Sequence, residues 1–97
     1  MSLGFILPTV VESEVLCFSG WSEREKENAI LFLEESFTSI VFDRTIARLV
    51  AELRLKNRPM KLPDAAIAAT ALYTHTPLVT RDRQGFSHVA GLKIITI

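Results

Sequence analysis

Ninety-seven residues, 48% of them hydrophobic and 23% charged, suit one small globular domain spanning 1–97 that leaves a large share of its surface exposed. A single cysteine, Cys17, excludes an internal disulfide, and no apolar run reaches the roughly 18 residues of a membrane span, so the expected setting is the cytoplasm, with no membrane partner. The formal net charge of zero hides an asymmetry: residues 1–43 carry two basic and eight acidic side chains, a net of −6, and residues 44–97 carry nine basic and three acidic, a net of +6.

Met1 to Gly4 lack the charged start and long apolar stretch of a signal peptide. Phe5-Ile6-Leu7 with Val10-Val11 reads as a short buried strand interrupted or ended by Pro8. The stretch Val11 to Phe18 fits a helix with Val11, Val15 and Phe18 on one face, ending before Gly20, and Thr9 with Glu12 matches a capping box. Ser22-Glu23-Arg24-Glu25 is a second capping box, opening a helix to about Ser36 with Ala29, Phe32 and Leu33 on its buried side and Trp21 stapling its start. Ser39 to Phe42 reads as a strand. Asp43 then caps a helix from Arg44 to Asn57, whose Ile46, Leu49, Val50 and Leu53 recur at helical spacing. Arg58 to Lys61 is a loop. After Asp82 the chain reads as a loop to Gly91 and a last strand from Leu92 to Ile97, and the alternation predicts an α/β protein with a mostly parallel sheet.

The most informative stretch is Lys61 to Asp82. Its alanines are strong helix formers and Pro63 suits a first helical turn, so a helix starts near Asp64. It ends near Thr74, because Pro77 disfavours helical geometry at Thr76, and Leu78-Val79-Thr80 reads as a buried strand. A helix of about 11 residues and a strand of about 5 cover similar lengths at 1.5 and 3.3 Å per residue, so Asp64 and Asp82 are expected on one edge of the domain. Taken singly, Asp64 reads as a helix cap and Asp82 as a turn aspartate. Two carboxylates brought together instead call for a cation or a shared proton between them, and hard oxygen ligands favour Mg²⁺ or Mn²⁺. Arg54, Lys56, Arg58 and Lys61 precede Asp64, while Arg81 and Arg83 flank Asp82, as suits the approach of a phosphate backbone. No zinc-ligand spacing, Ser-His-Asp arrangement or glycine-rich phosphate loop stands in the chain, and His75 and His88, each alone, read as capping or surface residues.

L-P-D-A-A-I-A-A-T-A-L, then P-L-V-T-R-D and G-F, resemble in order and spacing the later motifs of the PIN-domain family, in particular the toxin-type ribonucleases of VapBC toxin–antitoxin pairs. The resemblance implies a PIN-like three-layer α/β/α fold, and a Mg²⁺- or Mn²⁺-dependent endoribonuclease in which Asp64 and Asp82 hold the metal. Glu14-Val15-Leu16 is similar to the family's glutamate followed by an apolar pair, which implies that Glu14 is a third acid of the site. Arg81, Arg83, Lys61 and Arg58 become the candidate contacts to phosphate or RNA. The resemblance further implies an RNA substrate, an antitoxin protein and a homo-oligomer as partners.

The chain departs from that pattern in two places. Gly85 stands where some members carry a further acid, and the family's opening strand with its D-T-N or D-S-N aspartate has no counterpart in these residues. The expectation is an N-terminally truncated PIN-like domain with impaired cleavage. It would pair through Phe5 to Leu7 or through the helix Val11 to Phe18 with a second chain, because uncovered apolar area costs about 25 cal/mol per Å². The rival readings are a non-catalytic oligomerising or antitoxin-binding remnant and an RNA-binding module without cleavage.

Overall fold

The computed structural model describes residues 5–97; the reading of Met1 to Gly4 as lacking signal-peptide character lies outside them. Eight elements follow in the order β1 (Phe5–Pro8), α1 (Thr9–Leu16), α2 (Glu23–Ser36), β2 (Phe37–Ile40), α3 (Arg44–Lys56), α4 (Leu62–Tyr73), β3 (Leu78–Thr80) and β4 (Ile94–Thr96). They form two compact units, one ending at Val41 and the other running Phe42–Ile97. Each unit contains a two-stranded parallel sheet, β1 with β2 and β3 with β4, so the α/β class and the parallel pairing both hold. Among the described residues, no helix is long and apolar enough to cross a membrane.

In the first unit, β1 pairs with β2 in the register Phe5 to Phe37 and Leu7 to Ser39, and the Phe37 ring meets both Phe5 and Phe32. Several expectations are corrected here. The first helix begins two residues early, at Thr9, so Pro8 rather than Thr9 is its N-cap. The fixed φ of Pro8 instead turns the end of β1 directly into the helix. Trp21 packs edge-on against Phe18, with ring centroids 5.4 Å apart, and its Nε1–H donates to the Val15 carbonyl at 3.4 Å. Phe32 is exposed rather than buried, leaving Leu33 as the buried residue of α2, and β2 begins at Phe37 rather than Ser39. The Ser22–Glu25 capping box forms as expected, with both reciprocal bonds present. The Ser22 backbone N–H, helped by its hydroxyl, holds the Glu25 carboxyl below its ordinary value of 4.5.

In the second unit, Asp43 Oδ1 accepts the Ile46 N–H at 2.9 Å and starts α3, whose stripe Ile46, Val50 and Leu53 is buried. That stripe packs on α4, where Ala65, Ala66, Ala68 and Ala69 are all fully buried. Small side chains let the two helices approach closely, and an alanine-rich helix covered nearly all round gives a rigid mounting for what stands at its ends. Thr70 is buried among them with its hydroxyl donating to the Ala66 carbonyl at 2.7 Å, so no polar cost is left.

Two features end α4. The His75 N–H donates to Leu72 O and the Thr76 N–H to Ala71 O, the paired bonds of a Schellman motif, with His75 in the left-handed region at φ 53°. The chain then passes Pro77 into β3, where Val79 is 44% exposed, so this strand is half-covered rather than buried. The last strand is shorter than expected, Ile94–Thr96, although the Lys93 carbonyl just before it already accepts the Leu78 N–H at 2.8 Å. Phe86 and Val89, both buried, pin the segment between β3 and β4 onto the unit.

Candidate functional site

Asp64 lies in the first turn of α4, half-buried, and it does not cap the helix: Lys61 is the N-cap and makes no side-chain capping bond. A carboxylate in that first turn is favoured by the helix dipole whatever else it does. The opposite end of α4 marks one edge of the β3–β4 sheet. Ala71, Leu72 and His75 line a cleft of about 340 Å³ with Pro77, Gly91, Leu92 and Lys93, the residues that lead into the two strands. β3 then runs away from that edge, and Asp82 stands two residues past its end. Asp64 and Asp82 are therefore both remote from the edge where α4 ends and β3 begins.

Asp82 is held by a local frame. Its N–H donates to Thr80 Oγ1 at 3.0 Å, and its Oδ1 accepts the Gly85 N–H at 3.0 Å. Phe86 and Ser87 N–H both reach the Arg83 carbonyl, so Asp82 caps a single helical turn and the turn-aspartate role is met in the fold. Across the same sheet edge Arg83 Nη1 donates to Thr96 Oγ1 at 3.3 Å, and Arg81 is exposed. Nothing in the sequence beyond the Thr80–Asp82 spacing signalled Thr80 and Thr96 as supports of this edge.

Glu14 is exposed in the second turn of α1, in the first unit, where its carbonyl accepts Cys17 Sγ–H at 3.1 Å. Arg58 and Lys61 line a cleft of about 520 Å³ between the end of α3 and the start of α4, together with Arg54, Leu55, Pro59 and Met60. Arg54 Nε donates to the Met60 carbonyl at 3.0 Å and braces this loop, whose Arg58–Pro59 bond is cis. Among the described residues, no three His, Cys, Asp or Glu side chains gather closely enough to hold a metal ion. Asp64 and Asp82 do not make a closed protein cage. They do match the chemistry of Mg²⁺, which is commonly bound by one or two carboxylates while water and substrate phosphates complete its shell.

Parallel strand pairs and helices, with carboxylates at a helix start and past a strand end, make an α/β protein. A family model for the PIN domain matches residues 4–92, and the chain belongs to that family. It is similar to a toxin–antitoxin complex from Klebsiella pneumoniae, at 26% identity and a TM-score of 0.77 over 94% of this chain and 72% of that one. A second likeness, of fold alone, is to a member of the VapBC family of toxin–antitoxin systems, VapBC-5 from Mycobacterium tuberculosis. There the identity is 21% and the TM-score 0.60, over 92% of this chain and 77% of that one. No curated protein matches the chain.

Proposed function

We propose that the chain acts as one PIN-like domain of the toxin type, directed at RNA phosphodiesters through Asp64 and Asp82. The observation that carries this reading is the placement of both aspartates in the alanine-cored unit, away from the edge where α4 ends, in a chain that belongs to the PIN family. A bound Mg²⁺ or Mn²⁺ would neutralise phosphate charge and lower the pKa of water there. The chain's own residues orient and bind. Asp64 is fixed by α4, Asp82 by the Gly85 and Thr80 bonds, and Arg58, Lys61, Arg81 and Arg83 attract the phosphate backbone. Cleavage by these residues is weak, because Gly85 offers no carboxylate to the set.

A second reading rests on a different observation. In the first unit Phe18 and Phe32 are each 60% exposed, and an apolar cleft of about 420 Å³ is lined by Val15, Trp21, Ala29 and Phe32. Such a face suits an oligomerising or antitoxin-binding protein, the partner type named for the Klebsiella relative, in which cleavage is lost and association is kept. Incubation with single-stranded RNA and Mn²⁺ separates the two. The first reading expects slight metal-dependent cleavage that disappears in Asp64→Asn. Cleavage that persists in that variant contradicts it, and a complete lack of cleavage with association intact favours the second.

A further inference from the structure

One corner of the second unit gathers positive charge without an acid to balance it. Arg54, Arg58 and Lys61 line the cleft between the end of α3 and the start of α4, and among the described residues no carboxylate lines it. The spacing explains the convergence. Ala51, Arg54 and Leu55, at i, i+3 and i+4, share one face of α3, and the loop that follows brings Arg58 and Lys61 to the same cleft. Arg54 is oriented as well as charged: its Nε–H donates to the carbonyl of buried Met60 at 3.0 Å, which sets the guanidinium plane and leaves the Nη groups as further donors. Beside these cations the wall is apolar, formed by Ala51, Leu55 and Pro59, and Leu55 is 64% exposed. The volume of about 520 Å³ falls within the roughly 300–1,000 Å³ of small-molecule sites, room for one nucleotide rather than a phosphate alone.

We propose that this corner is a nucleotide subsite for single-stranded RNA, a statement that rests on the reading of the chain as directed at RNA through Asp64 and Asp82. Arg54, Arg58 and Lys61 take the phosphate, Arg54 through its planar fork, and the wall of Leu55 and Pro59 takes the face of the base. Its place relative to the aspartates follows from the chain. Lys61 stands three residues before Asp64, at most about 11 Å away even along an extended chain, so a strand with one phosphodiester at Asp64 lays a neighbouring nucleotide in the cleft. Only an unpaired base can use the apolar wall, because in a duplex the base faces are stacked on one another. The subsite therefore selects single strands, which charge alone does not.

The test uses the full chain in EDTA, so that binding is read without cleavage, and a labelled RNA of about eight nucleotides as single strand and as duplex. Arg58, Lys61 and Leu55 are exposed, so their truncation leaves the fold in place; Arg54, which braces the loop, is kept. Arg58→Ala with Lys61→Ala is expected to weaken single-strand binding about tenfold or more and to reduce the slope of log affinity against log salt by about 1.4. Arg44→Ala with Arg48→Ala, the same charge removed elsewhere on α3, changes affinity less than about threefold at physiological salt. Leu55→Ala weakens the single strand about fivefold, the scale of one or two CH₂ groups, with the salt slope unchanged and the duplex unaffected. Equal losses from the two pairs of cations overturn the subsite, since general charge attraction then explains both. Single-strand binding untouched by Leu55→Ala, or a duplex weakened as much, also overturns it. Oligoglutamate bound as tightly as the RNA, with the same loss in Arg58→Ala with Lys61→Ala, assigns the cleft to an acidic protein segment and overturns it too. Cleavage with Mn²⁺ separates the subsite from the reading beneath it. Cleavage lost in Asp64→Asn but unchanged in Arg58→Ala with Lys61→Ala overturns the subsite alone. Cleavage that persists in Asp64→Asn overturns the reading of the aspartates, and the subsite with it.

Discussion

The two units use apolar residues in opposite ways. In the unit Phe42–Ile97, Ile46, Val50, Leu53, Met60, Phe86, Val89 and the alanines of α4 are buried together, whereas Leu33 alone is buried among the described residues up to Val41. The cause is in the helices. The α3 stripe at i, i+4 and i+7 meets an alanine face that lets backbones approach, while α1 is eight residues long with no buried side chain. The first unit keeps Phe5, Phe18, Leu31 and Phe32 more than half exposed. The contrast separates two tasks: rigidity, which a site for chemistry needs, and uncovered apolar surface, which association needs.

That contrast is most easily broken by cutting one apolar side chain in each unit. Leu53→Ala removes a buried side chain and is expected to cost about 3 kcal/mol in urea unfolding, within the range for leucine truncations in cores. Leu31→Ala, at an exposed position, should fall within about 0.5 kcal/mol of the parent. Equal losses would mean that the first unit has as firm a core as the second.

Helix caps give a smaller effect of the same kind. Asp43→Ala should cost about 1 kcal/mol by releasing the Ile46 N–H, and Ser22→Ala a similar amount by opening the capping box. The second cap is also sensitive to acid. The Glu25 carboxyl is held below 4.5, so its contribution is present above that pH and is lost as pH falls through the lowered folded value. Glu25→Gln should remove that part of the acid dependence, measured as melting temperature against pH.

The smallest effect is expected at the end of α4. His75 takes a left-handed backbone at φ 53°, which glycine adopts without cost. His75→Gly should raise stability by about 0.5 kcal/mol, the steric relief being partly offset by the freer unfolded chain. A loss on that substitution would show that the imidazole makes a contribution beyond capping.

Legibility in the sequence followed the same division. The second unit could be read almost residue by residue: the Asp43 cap, the stripe of α3, the alanine helix and the return past Pro77 are each set by local chemistry. The first unit could not. A proline cap replaced the expected box at Thr9, Trp21 turned back onto Phe18, and Phe32 faced outward, because a weakly packed helix pair obeys no strong pattern. At the candidate site the acids and bases could be named from spacing and family likeness, with Asp64 and Asp82 in the rigid unit. The turn that holds Asp82, with Oδ1 on the Gly85 N–H and the next residues closed on the Arg83 carbonyl, depends on one carboxylate's rotamer, which no sequence pattern encodes.

The central claim is that a divalent cation is received by Asp64 and Asp82 of the second unit. Mn²⁺ broadens the NMR signals of nearby nuclei, so a titration of the isotope-labelled chain locates the cation directly. The account predicts broadening that starts at the amides around Asp64 and around Asp82 to Gly85 together, and that is lost in Asp64→Asn. Broadening centred instead on the acidic first turn of α2, at Glu23 and Glu25, or unchanged in that variant, would contradict it.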